Sequence, residues 1–165
     1  MRIIFFLLCI SISPFTFSQE PDAQSNPLQP FEFLIGGSWV TQTTEQTFEW
    51  GIGQKTVKSK LYFTNSGEKV LAGEITWFWH PKEQKIKGFG HSTDLQMNFF
   101  EYNTEFTSSN VMTNEFYGYG GQFDEVAQYE TLEFLSDDQY RWTYFNKVLD
   151  ELKPAYSILF NRKSD

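Results

Sequence analysis

Apolar and polar residues alternate with a period of two along most of this chain, and that leaves little room for helix. Over residues 55–64, Val57, Ser59, Leu61 and Phe63 fall on one side, and Thr56, Lys58, Lys60 and Tyr62 on the other. Successive side chains of a strand point to opposite faces, so the pattern marks a sheet with one covered face. Residues 69–80 place Leu71, Ile75, Trp77 and Trp79 on one side in the same way. Stretches at 39–48, 84–91, 97–107, 111–119, 126–135, 139–146 and 155–162 extend the series to about nine strands. Turn signals separate them: Gly51-Ile52-Gly53, Asn65-Ser66-Gly67, His80-Pro81-Lys82, Gly120-Gly121 and Asp137-Asp138.

Two short segments are compatible with helix. Residues 31–35 form one turn, ended by Gly36-Gly37 in the manner of a glycine cap. Residues 147–152 form the other, stopped by Pro154. Neither is long enough to cover a sheet, so the sheet must stack on another or close on itself. Short sequential hairpins favour closure. The expected fold is all-β, a single antiparallel meander barrel of about 8–10 strands, whose interior either holds one small ligand or is filled by side chains.

The N-terminus reads as an address. Arg2 precedes an apolar run at 3–12 that is too short to span a bilayer. Thr16 and Ser18 then occupy the small-residue positions of a cleavage site, which predicts a signal peptide over 1–18, cleavage before Gln19, and a secreted or periplasmic protein. Cys9 comes too early for a lipoprotein box, with more apolar sequence behind it. Residues 19–29 contain Pro21 and Pro27 and no aromatic, and read as a flexible tether. A single barrel domain is expected over 30–163, with no transmembrane segment in the mature chain.

Composition narrows the functional classes. Thirteen Lys and Arg against 21 Asp and Glu give a formal charge of −8, and no basic cluster stands ready for phosphates. That argues against nucleic acid. One Cys and two His exclude a disulfide framework and a three-histidine metal centre, so no metal is expected. No nucleophile elbow, phosphate-binding loop, dinucleotide fingerprint or EF-hand appears. Charge is uneven: residues 50–93 hold seven Lys and three Glu, whereas 94–146 hold ten acids and one Arg. Such halves read as solvated flanks or as a dipolar surface.

The segment Phe31-Glu32-Phe33-Leu34-Ile35-Gly36-Gly37-Ser38-Trp39 resembles the opening of small calycin-type barrels. These include lipocalin-like proteins, the nitrobindin type, and bacterial secreted families that begin Leu-x-Phe-Leu-x-Gly-x-Trp. Here Phe31 replaces the first Leu, and one extra residue separates Leu34 from Trp39. The resemblance implies a helical turn plugging one end, with Gly37 and Trp39 entering the first strand and Arg162 of the last strand packing on Trp39. It also implies a central hairpin from Trp77-Phe78-Trp79-His80-Pro81 to Lys85-Ile86-Lys87-Gly88-Phe89. Nitrobindin-type barrels bind ferric haem through a His near the C-terminal strands. Residues 148–162 contain none, so no cofactor is expected.

Two functional classes follow from the residues. The first is a binding barrel, in which Trp77, Trp79, Tyr140, Trp142, Tyr144 and Tyr156 surround a small apolar or amphipathic molecule and their polar tips orient it. Tyr102 belongs to the same set. So does His91, which follows the glycine-thinned Gly88-Phe89-Gly90, where a ligand can approach closely. The second is a barrel enzyme, an isomerase, cyclase or hydrolase, using Glu74, His91 or Tyr102 as acid or base. A filled barrel acting through its surface is the third reading. Glu101, Glu105 and Glu115 are expected on the solvated face.

Overall fold

The computed structural model describes residues 26–65, 67–93, 97–120 and 127–163. The expected signal peptide and most of the tether lie outside the described residues. Ten strands follow in chain order: β1 (Ser38–Val40), β2 (Thr44–Trp50), β3 (Thr56–Asn65), β4 (Glu68–His80), β5 (Lys85–Ser92), β6 (Phe99–Ser108), β7 (Val111–Tyr119), β8 (Ala127–Ser136), β9 (Gln139–Val148) and β10 (Glu151–Arg162). Each pairs antiparallel with the next, and β1 pairs with both β2 and β10 to close the barrel. This is the all-β meander barrel that the alternation requires.

Three local expectations are corrected. The stretch 39–48 is two strands rather than one. Thr41 Oγ1 accepts hydrogen bonds from the Thr43 and Thr44 amides at 3.2 and 3.0 Å, and this side-chain turn breaks the strand. Residues 147–152 form no helix. β9 and β10 run through them and are joined at Leu149 and Asp150, both left-handed at φ 52° and 66°, the geometry of a tight hairpin turn. Leu71 does not share the face of Ile75, Trp77 and Trp79. A bulge sets the Leu61–Gly73 pair beside the Tyr62–Leu71 pair, with Ala72 as the extra residue. The added residue reverses the alternation, so Ala72 is buried and Leu71 turns outward.

The lower end is plugged by the expected turn, a 3-10 helix at Gln29–Leu34. Packing begins earlier than the expected Pro30: Leu28 is buried together with Phe31 and Leu34, because Asn26 accepts from the Leu28 amide and anchors to the Gln54 carbonyl. Phe31 lies 5.4 Å from Trp77 and 5.2 Å from Phe106, ring centre to centre, which carries the plug into the barrel core. The helix ends at an extended Ile35, and Gly36 and Gly37 then turn the chain into β1 at φ 82° and 74°, a conformation that favours glycine.

Trp39 and Arg162 meet as the resemblance implies. They are register partners on β1 and β10, and the guanidinium sits 4.2 Å above the indole. Trp39 is fully buried and donates its Nε1–H to the Leu34 carbonyl at 3.0 Å. Arg162 donates to the Phe33 and Gly36 carbonyls at 2.6 Å each. One side chain therefore holds the last strand, the first strand and the free carbonyls at the end of the plug.

The hairpin turns at 51–55, 81–84, 109–110 and 137–138 lie at this plugged end. The turns at 41–43 and 149–150 lie at the other, with the ends of β5 and β7 at Ser92 and Tyr119, and between the two ends the barrel is hollow.

Candidate functional site: the barrel interior

Alternation turns one side chain in two toward the barrel axis, and the inward set is not purely apolar. β2 contributes Gln46 and Phe48, β3 Ser59 and Leu61, and β4 Ile75 and Trp77. Phe100 and Tyr102 come from β6, Asn114 and Phe116 from β7, Glu130 and Leu132 from β8, Trp142 from β9, and Tyr156 and Ile158 from β10. Together they enclose a cavity of about 520 Å³, in the usual size range of small-molecule sites. The interior is therefore not filled, which removes the premise of the filled-barrel reading.

The space exists partly because β5 is thin. Its inward positions are Ile86, Gly88, Gly90 and Ser92, all buried. A Cβ on Gly88 would lie 2.9 Å from Trp77 Cδ1 and 3.2 Å from Tyr102 Cβ. A Cβ on Gly90 would lie 2.7 Å from the Glu74 carbonyl oxygen. Gly88 thus seats the Trp77 indole against the wall, and Gly90 lets β4 approach closely at Glu74 and Ile75. Trp77 Nε1 is sealed there without a hydrogen-bond partner among the described residues, so its proton is not presented to the cavity.

The polar groups fall into two networks. Tyr140 donates its hydroxyl to Gln46 Oε1 at 2.8 Å, and Gln46 Nε2 donates to Ser59 Oγ at 2.9 Å. The second network is built on Glu130. Thr104, Asn114 and Glu130 stand in register on β6, β7 and β8. Thr104 donates to Asn114 Oδ1 at 2.6 Å, and Asn114 Nδ2 donates to Glu130 Oε1 at 2.8 Å. Trp142 Nε1 donates to Glu130 Oε2 at 2.8 Å. Burial raises the Glu130 carboxyl above its ordinary range, and the bonds from Trp142 and Asn114 oppose that rise without cancelling it. Tyr102 is pushed well upward, first by burial and then by the negative Glu130 nearby. The Tyr102 hydroxyl has no hydrogen-bond partner among the described residues.

The residues singled out from the sequence are distributed as follows. Trp77, Tyr102, Trp142 and Tyr156 border the cavity. Tyr156 is more than half exposed, lies edge-on to Trp142 at 5.8 Å, and marks the cavity mouth. Tyr140 is fully buried toward the plug, 5.0 Å from Trp39. Tyr144 donates to Gln128 and packs against the cluster of Phe100, Tyr102 and Phe116. Trp79 packs on the core around the plug. His91 alternates outward, is exposed, and lies 5.2 Å from the Phe99 ring on the outer wall. Glu74 is also exposed, 3.7 Å from Lys60. Both border the cavity, but their side chains turn outward for the same reason: Gly73, Ile75, Gly90 and Ser92 hold the inward phase. Of Glu74, His91 and Tyr102, the alternatives for an acid or base, only Tyr102 turns its side chain into the cavity.

Glu130 and Asn114 were missed. The signal was present: on β8, Glu130 shares its alternation phase with the buried Leu132 and Phe134. Glu101, Glu105 and Glu115 oppose apolar phases, as expected of solvated positions.

Among the described residues, no group of His, Cys, Asp and Glu is arranged to hold a metal ion. No helix among them is long and apolar enough to cross a membrane. In comparisons with known proteins, no family model matches the chain and no curated relative does.

Proposed function

We propose that this protein is an exported, calycin-like barrel that binds a small apolar or amphipathic molecule inside the cavity. One observation carries the reading. A plugged barrel keeps about 520 Å³ unfilled behind aromatic walls, with Glu130 and the Tyr102 hydroxyl available to orient an occupant. Apolar enclosure with a few convergent polar groups is the usual chemistry of such sites. The calycin likeness is supported by the plug, by Gly37 and Trp39 at the start of β1, and by Arg162 on the indole face. Export is supported by Arg2, the apolar run behind it and the Thr16-Phe17-Ser18 cleavage pattern.

The binding reading is tested by titrating intrinsic Trp fluorescence with N-phenyl-1-naphthylamine, a neutral apolar probe, and with long-chain alcohols. Saturable quenching that weakens in Trp142→Leu, with the fold intact by circular dichroism, is expected. Absence of any saturable binding overturns it. Export is tested by N-terminal sequencing of material recovered outside the cytosol, expected to begin at or near Gln19. An intact Met1 on protein found in soluble cytosol overturns it.

A further inference from the structure

The cavity carries an acid and no base. Of the two carboxylate residues that border it among the described residues, Glu130 turns its side chain inward and Glu74 outward; His91 also faces out, and no Lys or Arg lines it. A carboxylate set in an apolar cavity without a cation is costly. Its two protein donors occupy one site on each oxygen, Asn114 on Oε1 and Trp142 on Oε2. A carboxylate has about four acceptor sites, so each oxygen retains one. The rings around it carry no competing charge: Tyr102 stacks on Phe116 at 5.2 Å, and Trp142 turns its N–H edge to the carboxylate. Aromatic walls about a single carboxylate that has no cation favour an ammonium group, whose charge-assisted hydrogen bonds the free acceptor sites can take. The chain's charge of −8 adds a long-range pull on cations.

We infer that the occupant is a cationic amphiphile, an amine or quaternary ammonium with an apolar body, whose charged head sits at Glu130 between the Trp142 and Tyr102 rings. This rests on the interior-binding reading above and gives it a ligand class. The ammonium supplies the missing positive charge and fills the free acceptor sites of the carboxylate. The apolar body lies along the walls toward Ile75, Phe100 and Ile158.

The test is calorimetric titration of the full chain at pH 7.5 with octylamine, octanol and octanoate, which share a tail and differ in head. Octylamine is expected to bind at least about tenfold more tightly than octanol, and octanoate most weakly, as for a desolvated charge pair against neutral and repulsive heads. Glu130→Gln is expected to lower octylamine affinity by about tenfold while leaving octanol within about threefold. A second measurement needs no variant. As pH falls through the raised Glu130 range, octylamine binding weakens and octanol binding does not. The groups that face Glu130 are Asn114, Trp142 and the neutral phenols of Tyr102, Tyr140 and Tyr144, none of them a second carboxyl or an imidazole, and the Glu74 and His91 side chains turn outward. Equal affinity for the three heads, or octylamine binding indifferent to both pH and Glu130→Gln, overturns the amine assignment and leaves interior binding standing. Failure of all three ligands and of N-phenyl-1-naphthylamine overturns both.

Discussion

Asn114 and Glu130 face each other across β7 and β8, and the Asn114 amide donates to one carboxylate oxygen while its carbonyl accepts from Thr104. Asn114 is fully buried, so its two ends are satisfied by one neighbour on each side and by no water from outside. Asn114→Ala removes both partners at once. It is expected to destabilise the fold by about 1–3 kcal/mol, the usual cost of stranding buried polar groups, measured by urea unfolding. Asn114→Asp keeps the shape and sets two carboxyls side by side. Its stability deficit is expected to be larger at pH 7 than at pH 5, where one shared proton removes the repulsion.

Glu130 should leave a trace in the pH dependence of folding. Its carboxyl is raised in the folded state, chiefly by burial. The folded protein therefore holds a proton that the unfolded chain releases first as pH rises. Its favourable contribution is complete below the ordinary carboxylate range and declines as pH climbs from there to the raised value. The difference in unfolding free energy between the native protein and Glu130→Gln is expected to shrink over that window. A flat difference would show that Glu130 titrates like a solvated acid.

The Trp39–Arg162 contact sets up a double-mutant cycle. Trp39→Ala is expected to cost about 3–5 kcal/mol, as for other buried tryptophans. Arg162→Ala strands the Phe33 and Gly36 carbonyls, and each lost charged hydrogen bond is worth about 1.5–3 kcal/mol. The double variant should cost less than the sum, because the indole and the guanidinium touch. Arg162→Lys should recover only part of the loss. A single ammonium cannot reproduce a fork that spans two carbonyls and covers a ring. Additive costs would mean that the two side chains act independently.

Gly88→Ala tests the thin wall of β5. The new methyl would meet the buried Trp77 indole and the Cβ of Tyr102, neither of which is a flexible tip. Overpacking of this kind costs about 1–3 kcal/mol, and the displaced indole should shift the Trp emission. An unchanged melting temperature and spectrum would show that the wall is looser than these distances imply.

Leu149 provides the opposite sign. It is almost wholly exposed and held in the left-handed region at φ 52°. Branched side chains there cost about 1–2 kcal/mol, which asparagine largely avoids. Leu149→Asn is expected to stabilise the protein by about 1 kcal/mol in thermal or urea unfolding.

Much of the barrel was legible because alternation is local. Val57, Ser59, Leu61 and Phe63 declare their phase without reference to any other strand, and the same holds for Tyr140, Trp142 and Tyr144. Trp39 and Arg162 were legible from the segments that carry them. The rest depends on something a single strand does not contain. The bulge at Ala72 is flanked by Gly73, a residue that can mark such a break, but the glycine alone does not say which neighbour is the extra one, so the reversal of Leu71 was not readable. The turn at Leu149-Asp150 lacks the usual Asn-Gly signal, and the segment read as a helical turn. The phase of Glu130 was readable, but its pairing with Asn114 and Trp142 depends on register across three strands. The key acid of the cavity therefore passed for one more surface carboxylate, while Glu74 and His91, both on the outer phase, drew attention instead.

The seam between β1 and β10 consists of two register pairs, Trp39 with Arg162 and Val40 with Asn161. The ribosome makes the first of these partners early and the last only when nearly the whole barrel sequence has been translated. Until then every nascent intermediate has two unpaired strand edges and a plug without its Arg162 contacts. Because the ring closes through its most distant residues, closure comes late in folding. A chain cut short before Asn161 would be an open, edge-exposed sheet, prone to pair with its neighbours rather than to hold a ligand.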